Sequence, residues 1–195
     1  MSLRAFGQKR IALVIGLALW IPSVAAGLSI LWSYSTTPGR AAEPPRHQPS
    51  ATRAHLLMFV HPRCPCSDAS MGELAKLMAS AGPRLEASVY FFYPRQQSAS
   101  WAHTGLWNSA AAIPGVRAIE DRDAEMAGRF GAFTSGQTLV YDASGNLRFK
   151  GGITAARGHS GDNAGRSAVE ALLASPDSVQ ELVSTPVFGC SLTGE

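Results

Sequence analysis

Two cysteines separated by one proline, set between a short apolar run and an amphipathic one, constrain this 195-residue chain more than any other feature. Residues 55–61, HLLMFVH, have the length and composition of a buried strand. Residues 68–81 then place Leu74, Leu77, Met78 and Ala81 at i, i+3, i+4 and i+7, on one face of a helix. Cys64 and Cys66 fall in the connection, where the strand hands over to the helix. The first turn of a helix carries unpaired N–H groups and about half a positive charge, which together stabilise a thiolate. The pattern points to redox or metal chemistry at a helix start.

Upstream, residues 11–32 are almost continuously apolar. As a helix these 22 residues would be about 33 Å long, enough to cross a hydrocarbon core of about 30 Å. Pro22 would kink such a helix, which membrane spans tolerate. A cleaved signal peptide ending at Val24, Ala25 and Ala26 is the rival reading, but the apolar run continues to Trp32, which favours an uncleaved anchor. Arg4, Lys9 and Arg10 precede the span with no acid among them, so everything after it is expected outside the cytoplasm. The same three residues account for the net charge of +3; the rest of the chain carries 14 basic and 14 acidic residues. With no basic stripe, no nucleic-acid partner is expected. Three cysteines in an exported chain are too few for a disulfide-stapled scaffold, and they leave one thiol over.

The expected organisation is a cytoplasmic N-terminus at 1–10, a transmembrane signal-anchor helix at 11–33, a flexible proline-containing linker at 34–53, a folded domain at 54–176 and a tail at 177–195 carrying Cys190. Within the domain, residues 86–93 (EASVYFFY) read as a second strand. A connection at 94–114 holds Trp101, Trp107 and one helix around 98–112; a third strand is expected at 116–120 and an acidic-capped helix at 121–131. A hairpin follows at 137–142 and 147–151, and then a helix at 163–174, capped by Asp162 or Asn163 and stopped by Pro176. Parallel strands joined by helices, closed by a hairpin and a last helix, form the thioredoxin pattern: an α/β fold with a central mixed sheet and flanking helices. Phe59, Val89, Phe91, Leu139 and Val140 are its expected core.

Three separated motifs carry a resemblance: HPRCPCS at 61–67, GGIT at 151–154 with RGHSGDN at 157–163, and TPVFGC at 185–190. Together they resemble the RedB-type proteins, membrane-anchored thioredoxin-like proteins of bacteria. That resemblance implies a thioredoxin fold, a redox role and a single-pass inner-membrane location with the domain in the periplasm. A more distant similarity, through Phe130, Gly131 and the YDASG turn at 141–145, is to exported thioredoxin-like proteins of cytochrome maturation. Against that pattern, Gly136 stands where a cis-proline would face the cysteines. Glycine there would leave room for a third metal ligand.

Cys64, after Arg63 and before the helix, is the expected exposed nucleophile of low pKa, and Cys66 the expected resolving thiol. Cys190 is a possible third thiol, or a partner that pins the tail. His61, three residues before Cys64, could complete a one-nitrogen, two-sulfur set for Cu(I) or zinc, although a histidine that only hydrogen-bonds the loop is the simpler reading. His159, between Gly158 and Ser160, is an accessory candidate on a loop. The leading expectation is a thiol–disulfide oxidoreductase that needs no cofactor and acts on exported protein thiols or disulfides. The alternative is a copper-binding protein that delivers Cu(I) to an exported metalloenzyme. A binding module with an inert cysteine pair is the third.

Overall fold

The computed structural model describes residues 3–175 and 181–193, in two units divided between Thr37 and Pro38. The first unit is one helix, α1 (Leu3–Thr36). Within it, Ile11–Thr36 has a mean hydropathy of 2.2, long and apolar enough to cross a membrane.

The second unit is built on a sheet of strands β1 (Ala54–Val60), β2 (Leu85–Tyr93), β3 (Val116–Arg122), β4 (Gln137–Tyr141), β5 (Leu147–Gly151) and β6 (Val183–Ser184). Their spatial order is β3-β2-β1-β4-β5-β6. β1 runs parallel to β2 and β2 to β3, whereas β4 is antiparallel to both β1 and β5. The helices are α2 (Ser67–Ala81), α3 (Gly105–Ala111), α4 (Glu125–Arg129) and α5 (Ala164–Ala174).

Successive strand residues point to opposite faces, and β1 is buried on both. Leu56, Met58 and Val60 share a core with Leu74, Leu77 and Met78 of α2, Leu106 of α3 and Val169 of α5. Leu57 and Phe59 face the other way, with Leu139, Tyr141, Ala127 of α4 and Phe130. All five expected core residues are buried, none more than 2% exposed. β1 therefore has little freedom to move, and the loop leaving it at His61 starts from a fixed point.

Three boundaries differ from expectation. Residues 38–53 are not a free tether: Gly39 N–H donates to the Val187 carbonyl at 2.8 Å and Leu147 N–H to that of Arg46 at 2.9 Å. The Tyr141 hydroxyl donates to the Pro45 carbonyl at 2.7 Å, and Ala42 is 1% exposed. The prolines there give an extended strap that lies on the domain instead of a flexible coil. The helix expected at 121–131 is shortened to α4, because Asp121 and Arg122 belong to β3, and the Asp121 carboxylate reaches forward, accepting Met126 N–H at 2.8 Å and Ala127 N–H at 3.0 Å. The turn between them bends through positive φ at Asp123 and Ala124. Finally, the expected tail contributes β6, which pairs with β5 at Phe149↔Val183. Asn163 caps α5 as expected, accepting Arg166 N–H at 2.8 Å. The expected stop at Pro176 lies outside the described residues.

Candidate thiol site

The loop from β1 to α2 is held from three sides. His61 N–H donates to Ser135 Oγ at 2.8 Å, Cys64 N–H to the His61 carbonyl at 3.0 Å, and the Thr104 hydroxyl to the Pro62 carbonyl at 3.0 Å. Cys66 then forms the N-cap of α2. This puts Cys64 4% exposed and Cys66 half-buried. The expected nucleophile is thus covered, the reverse of the exposure read from the sequence.

What covers it is the far end of the chain. Ser135 N–H donates to the Cys190 carbonyl at 2.8 Å and Leu192 N–H to the Phe133 carbonyl at 2.9 Å. Residues 189–192 thereby run along the segment that leads into β4, with Leu192 1% exposed. Only glycine fits at 189, because a Cβ would land on the Ser135 carbonyl oxygen. The Arg157 guanidinium donates to the Gly189 carbonyl from the opposite side. Cys190 Sγ consequently lies 2.8 Å from Cys64 Sγ. All three sulfurs, none in a disulfide, fall within 4.8 Å of one another.

Ionisation within the cluster is uneven. Burial pushes Cys64 up, but hydrogen bonds from the Cys190 thiol and backbone, the Ser67 hydroxyl and the Cys66 backbone outweigh it, and Cys64 ionises below an ordinary cysteine. Burial and the neighbouring Cys64 hold Cys66 above the ordinary value, against the pull of Arg157. Burial and Cys64 together push Cys190 up to about 12. The site therefore concentrates its negative charge on Cys64, at the start of α2, where the helix dipole favours it.

Ser67 and Ser135 were not singled out in the sequence. Ser67 is 1% exposed and its hydroxyl lies 2.8 Å from Ser135 Oγ. It stands three residues after Cys64, the place of the second thiol in a C-x-x-C pair. That spacing is the sequence signal that could have found it.

The two histidines stay out of the cluster. The His61 ring stacks on Phe92 and meets Trp101 edge-on, and its Nδ1 accepts Arg63 N–H at 3.2 Å. Burial, helped by Arg63, lowers its pKa, so it packs as a neutral ring. His159 is exposed, with Nδ1 3.1 Å from the Arg157 carbonyl oxygen. Among the described residues, the group able to hold a metal is Cys64, Cys66 and Cys190, without the nitrogen expected from His61. Gly136 does not provide an open third position either. It has φ +89°, its N–H donates to the Phe59 carbonyl at 2.8 Å, and a Cβ would meet Ser70 Oγ at 3.0 Å. The backbone that stands over the cysteines belongs to the C-terminal segment.

An open groove of about 460 Å³, lined by Pro62, Arg63, Cys64, Pro65, Asp68 and Thr104, leads to the Cys64 side of the cluster. Arg63 covers its rim, with the guanidinium 4.4 Å from the Trp101 ring centre. A more apolar cavity of about 370 Å³, lined by Arg84, Val140 and Leu173 among others, contains no cysteine.

A parallel β1–β2 pair, an antiparallel β4–β5 hairpin and cysteines at the β1–α2 junction define a thioredoxin-like fold. No family model matches the chain, and no curated protein matches it. Among solved structures, it is similar to a hypothetical protein from Sinorhizobium meliloti 1021, with TM-score 0.59, 20% identity, and 83% of this chain and 96% of that one covered. An uncharacterized conserved protein from Geobacillus kaustophilus gives TM-score 0.59 at 15% identity, covering 82% and 93%. A secreted disulfide oxidoreductase of Mycobacterium tuberculosis gives 0.45 at 14%, covering 64% and 83%. At these identities the likeness is one of fold alone.

Proposed function

We propose that this chain is a membrane-anchored thiol–disulfide oxidoreductase of the RedB type, acting outside the cytoplasm on thiols or disulfides of exported proteins. The observation that carries the reading is the 2.8 Å contact between Cys64, whose ionisation is favoured, and Cys190, whose ionisation is suppressed. The Cys64 thiolate attacks one sulfur of a partner disulfide reached through the groove. The Cys64–partner bond forms, the partner's own S–S bond breaks, and the departing sulfur takes a proton. The hydrogen bond to the Cys64 thiolate and its negative charge, which after burial hold the Cys190 pKa high, are then gone. Cys190 loses its proton more readily, attacks Cys64, closes a Cys64–Cys190 disulfide and releases the partner as a thiol. The same steps reversed oxidise a partner dithiol.

This assignment moves the resolving role from Cys66 to Cys190. The full-length protein in detergent, reduced and then mixed with glutathione disulfide, is expected to exchange rapidly. Cys64→Ser is expected to slow that exchange at least about a hundredfold. A Cys64→Ser rate equal to the wild type sinks the reading.

The anchor rests on α1 and on the basic residues before the apolar stretch. A phosphatase fused after Glu195 is expected to be active in a bacterial host, and a reporter that works only in the cytoplasm to be silent. The opposite pattern removes both the periplasmic location and the exported partners.

The copper alternative as read from Cys64, Cys66 and His61 loses its nitrogen ligand to the aromatic stack around His61. A metal would have to be held by sulfur alone.

A further inference from the structure

We infer that the reduced protein binds one Cu(I) in an all-sulfur, three-coordinate site made by Cys64, Cys66 and Cys190, with the C-terminal segment supplying the third ligand. This goes beyond the exchange reaction and stands on a different property of the same sulfurs, their mutual spacing.

A metal–sulfur bond of about 2.3 Å places the sulfurs of a trigonal site about 4 Å apart. The three Sγ atoms lie within 4.8 Å of one another before any metal enters. The Cys64–Cys190 pair, at 2.8 Å, must open by about 1 Å, which side-chain rotation supplies. The donors are all thiolates, the soft ligands that select Cu(I), zinc and iron–sulfur clusters. Structural zinc takes four ligands. Among the described residues the group has three, with no fourth histidine, cysteine or carboxylate. Three thiolates complete the shell of Cu(I), whereas zinc would need a water as its fourth ligand, so Cu(I) is the better match.

The charge balance favours the same occupant. On entry of Cu(I) the three thiols release their protons to solvent and no atom changes oxidation state. Three thiolates around one monovalent cation leave two negative charges in a half-buried place. The N-terminus of the 15-residue α2 faces them through Cys66. The Arg157 guanidinium is held at Gly189, close enough to act on Cys66 and Cys190. Both are positive and both are fixed by contacts that do not involve the sulfurs.

Closing the Cys64–Cys190 disulfide needs those sulfurs at about 2.05 Å, so oxidation and copper binding exclude each other. The protein would carry Cu(I) only in its reduced form.

The test is an anaerobic titration of the reduced full-length chain in detergent with Cu(I) supplied as its acetonitrile complex, read by competition with bicinchoninate and by X-ray absorption at the copper edge. The expected result is one Cu(I) per chain with three sulfur neighbours. Cys190→Ser is expected to weaken binding at least about tenfold and to shift the metal to two-sulfur coordination, while His159→Ala changes neither. Oxidised protein is expected to bind none. A wild-type spectrum with a nitrogen neighbour, or two sulfurs only, overturns the three-thiolate site even if a variant misfolds, and failure to compete with bicinchoninate overturns Cu(I) binding altogether. Stoichiometric zinc in a four-coordinate site overturns the choice of metal. None of these outcomes touches the exchange rate, so the two readings fail separately.

Discussion

Cys190→Ser is expected to leave the protein covalently stuck to its partners. The substituted hydroxyl can still donate to Cys64, and the Ser67 hydroxyl and the backbone of residues 66 and 190 continue to favour its ionisation, so attack on a partner disulfide still forms the mixed disulfide. The sulfur that stood 2.8 Å away to resolve it is missing. Cys66 is a poor substitute, because it sits one turn position along, caps α2 with its backbone, and is held above the ordinary thiol pKa. On non-reducing gels of a bacterial host, adducts should rise at least about tenfold over wild type. They should vanish when Cys64→Ser is added and stay near wild type in Cys66→Ser alone. Accumulation in Cys66→Ser instead would return the resolving role to Cys66. The absence of adducts in every variant would remove exchange chemistry from the protein.

Glu73→Ala is expected to give the largest loss of stability from a single polar side chain. Glu73 is fully buried on α2 and receives Arg166 Nε at 2.8 Å, Lys76 Nζ at 2.8 Å, Gly161 N–H at 2.9 Å and Asn163 Nδ2 at 3.3 Å. These bonds tie α2 to the loop that leads into α5, the loop that also carries Arg157. Removing the carboxylate leaves Arg166, whose side chain is only 16% exposed, with only Glu170 and Asp162 to pair with, and strips the Gly161 N–H of its side-chain acceptor. Breaking such a pair costs about 3–5 kcal/mol, a large part of the roughly 5–15 kcal/mol that holds a domain together. Denaturant unfolding measures it directly. The pH dependence has a fixed sign. Burial pushes the Glu73 carboxyl up, but Lys76, the Gly161 N–H and Arg166 bring it below its ordinary value. A carboxylate with a lowered folded-state pKa contributes its stability above the unfolded value of about 4.3, and that contribution fades as pH falls through the folded value. Wild-type stability should therefore drop in acid more steeply than that of Glu73→Ala. A loss under about 1 kcal/mol, or parallel acid profiles, would show that the network contributes little.

The core of the fold was legible because it is written in local pattern. The β1 run, the helical period of α2 and the aromatic, β-branched β2 each state their own type, and the hairpin of β4 and β5 is marked by Gly145 in its turn. Elements defined by distant partners were not legible. β6 is two residues long and exists because β5 offers an edge to it. The strap at 38–53 has no apolar period, and its order comes from bonds to residues a hundred positions away. The site divides the same way. Cys64 and Cys66 announce themselves by spacing and by the helix that follows. The adjacency of Cys190 depends on Gly189 fitting against Ser135, a contact between two segments that neither one encodes alone. His61 was over-read for the opposite reason: its distance in sequence suits a ligand, but Phe92 and Trp101 take its ring.

The separation of the two halves of the cluster also sets an order of events during synthesis. Cys190 follows Cys64 by 126 residues. At roughly 5–20 residues per second, the ribosome adds it about 6–25 s after the first two cysteines are in place. For that interval the nascent chain holds Cys64 and Cys66 without the C-terminal segment that covers them. Any oxidant met in that time can act only on the neighbouring pair. A Cys64–Cys66 bridge formed then would have to be opened before the last segment could dock and Cys190 take its place beside Cys64.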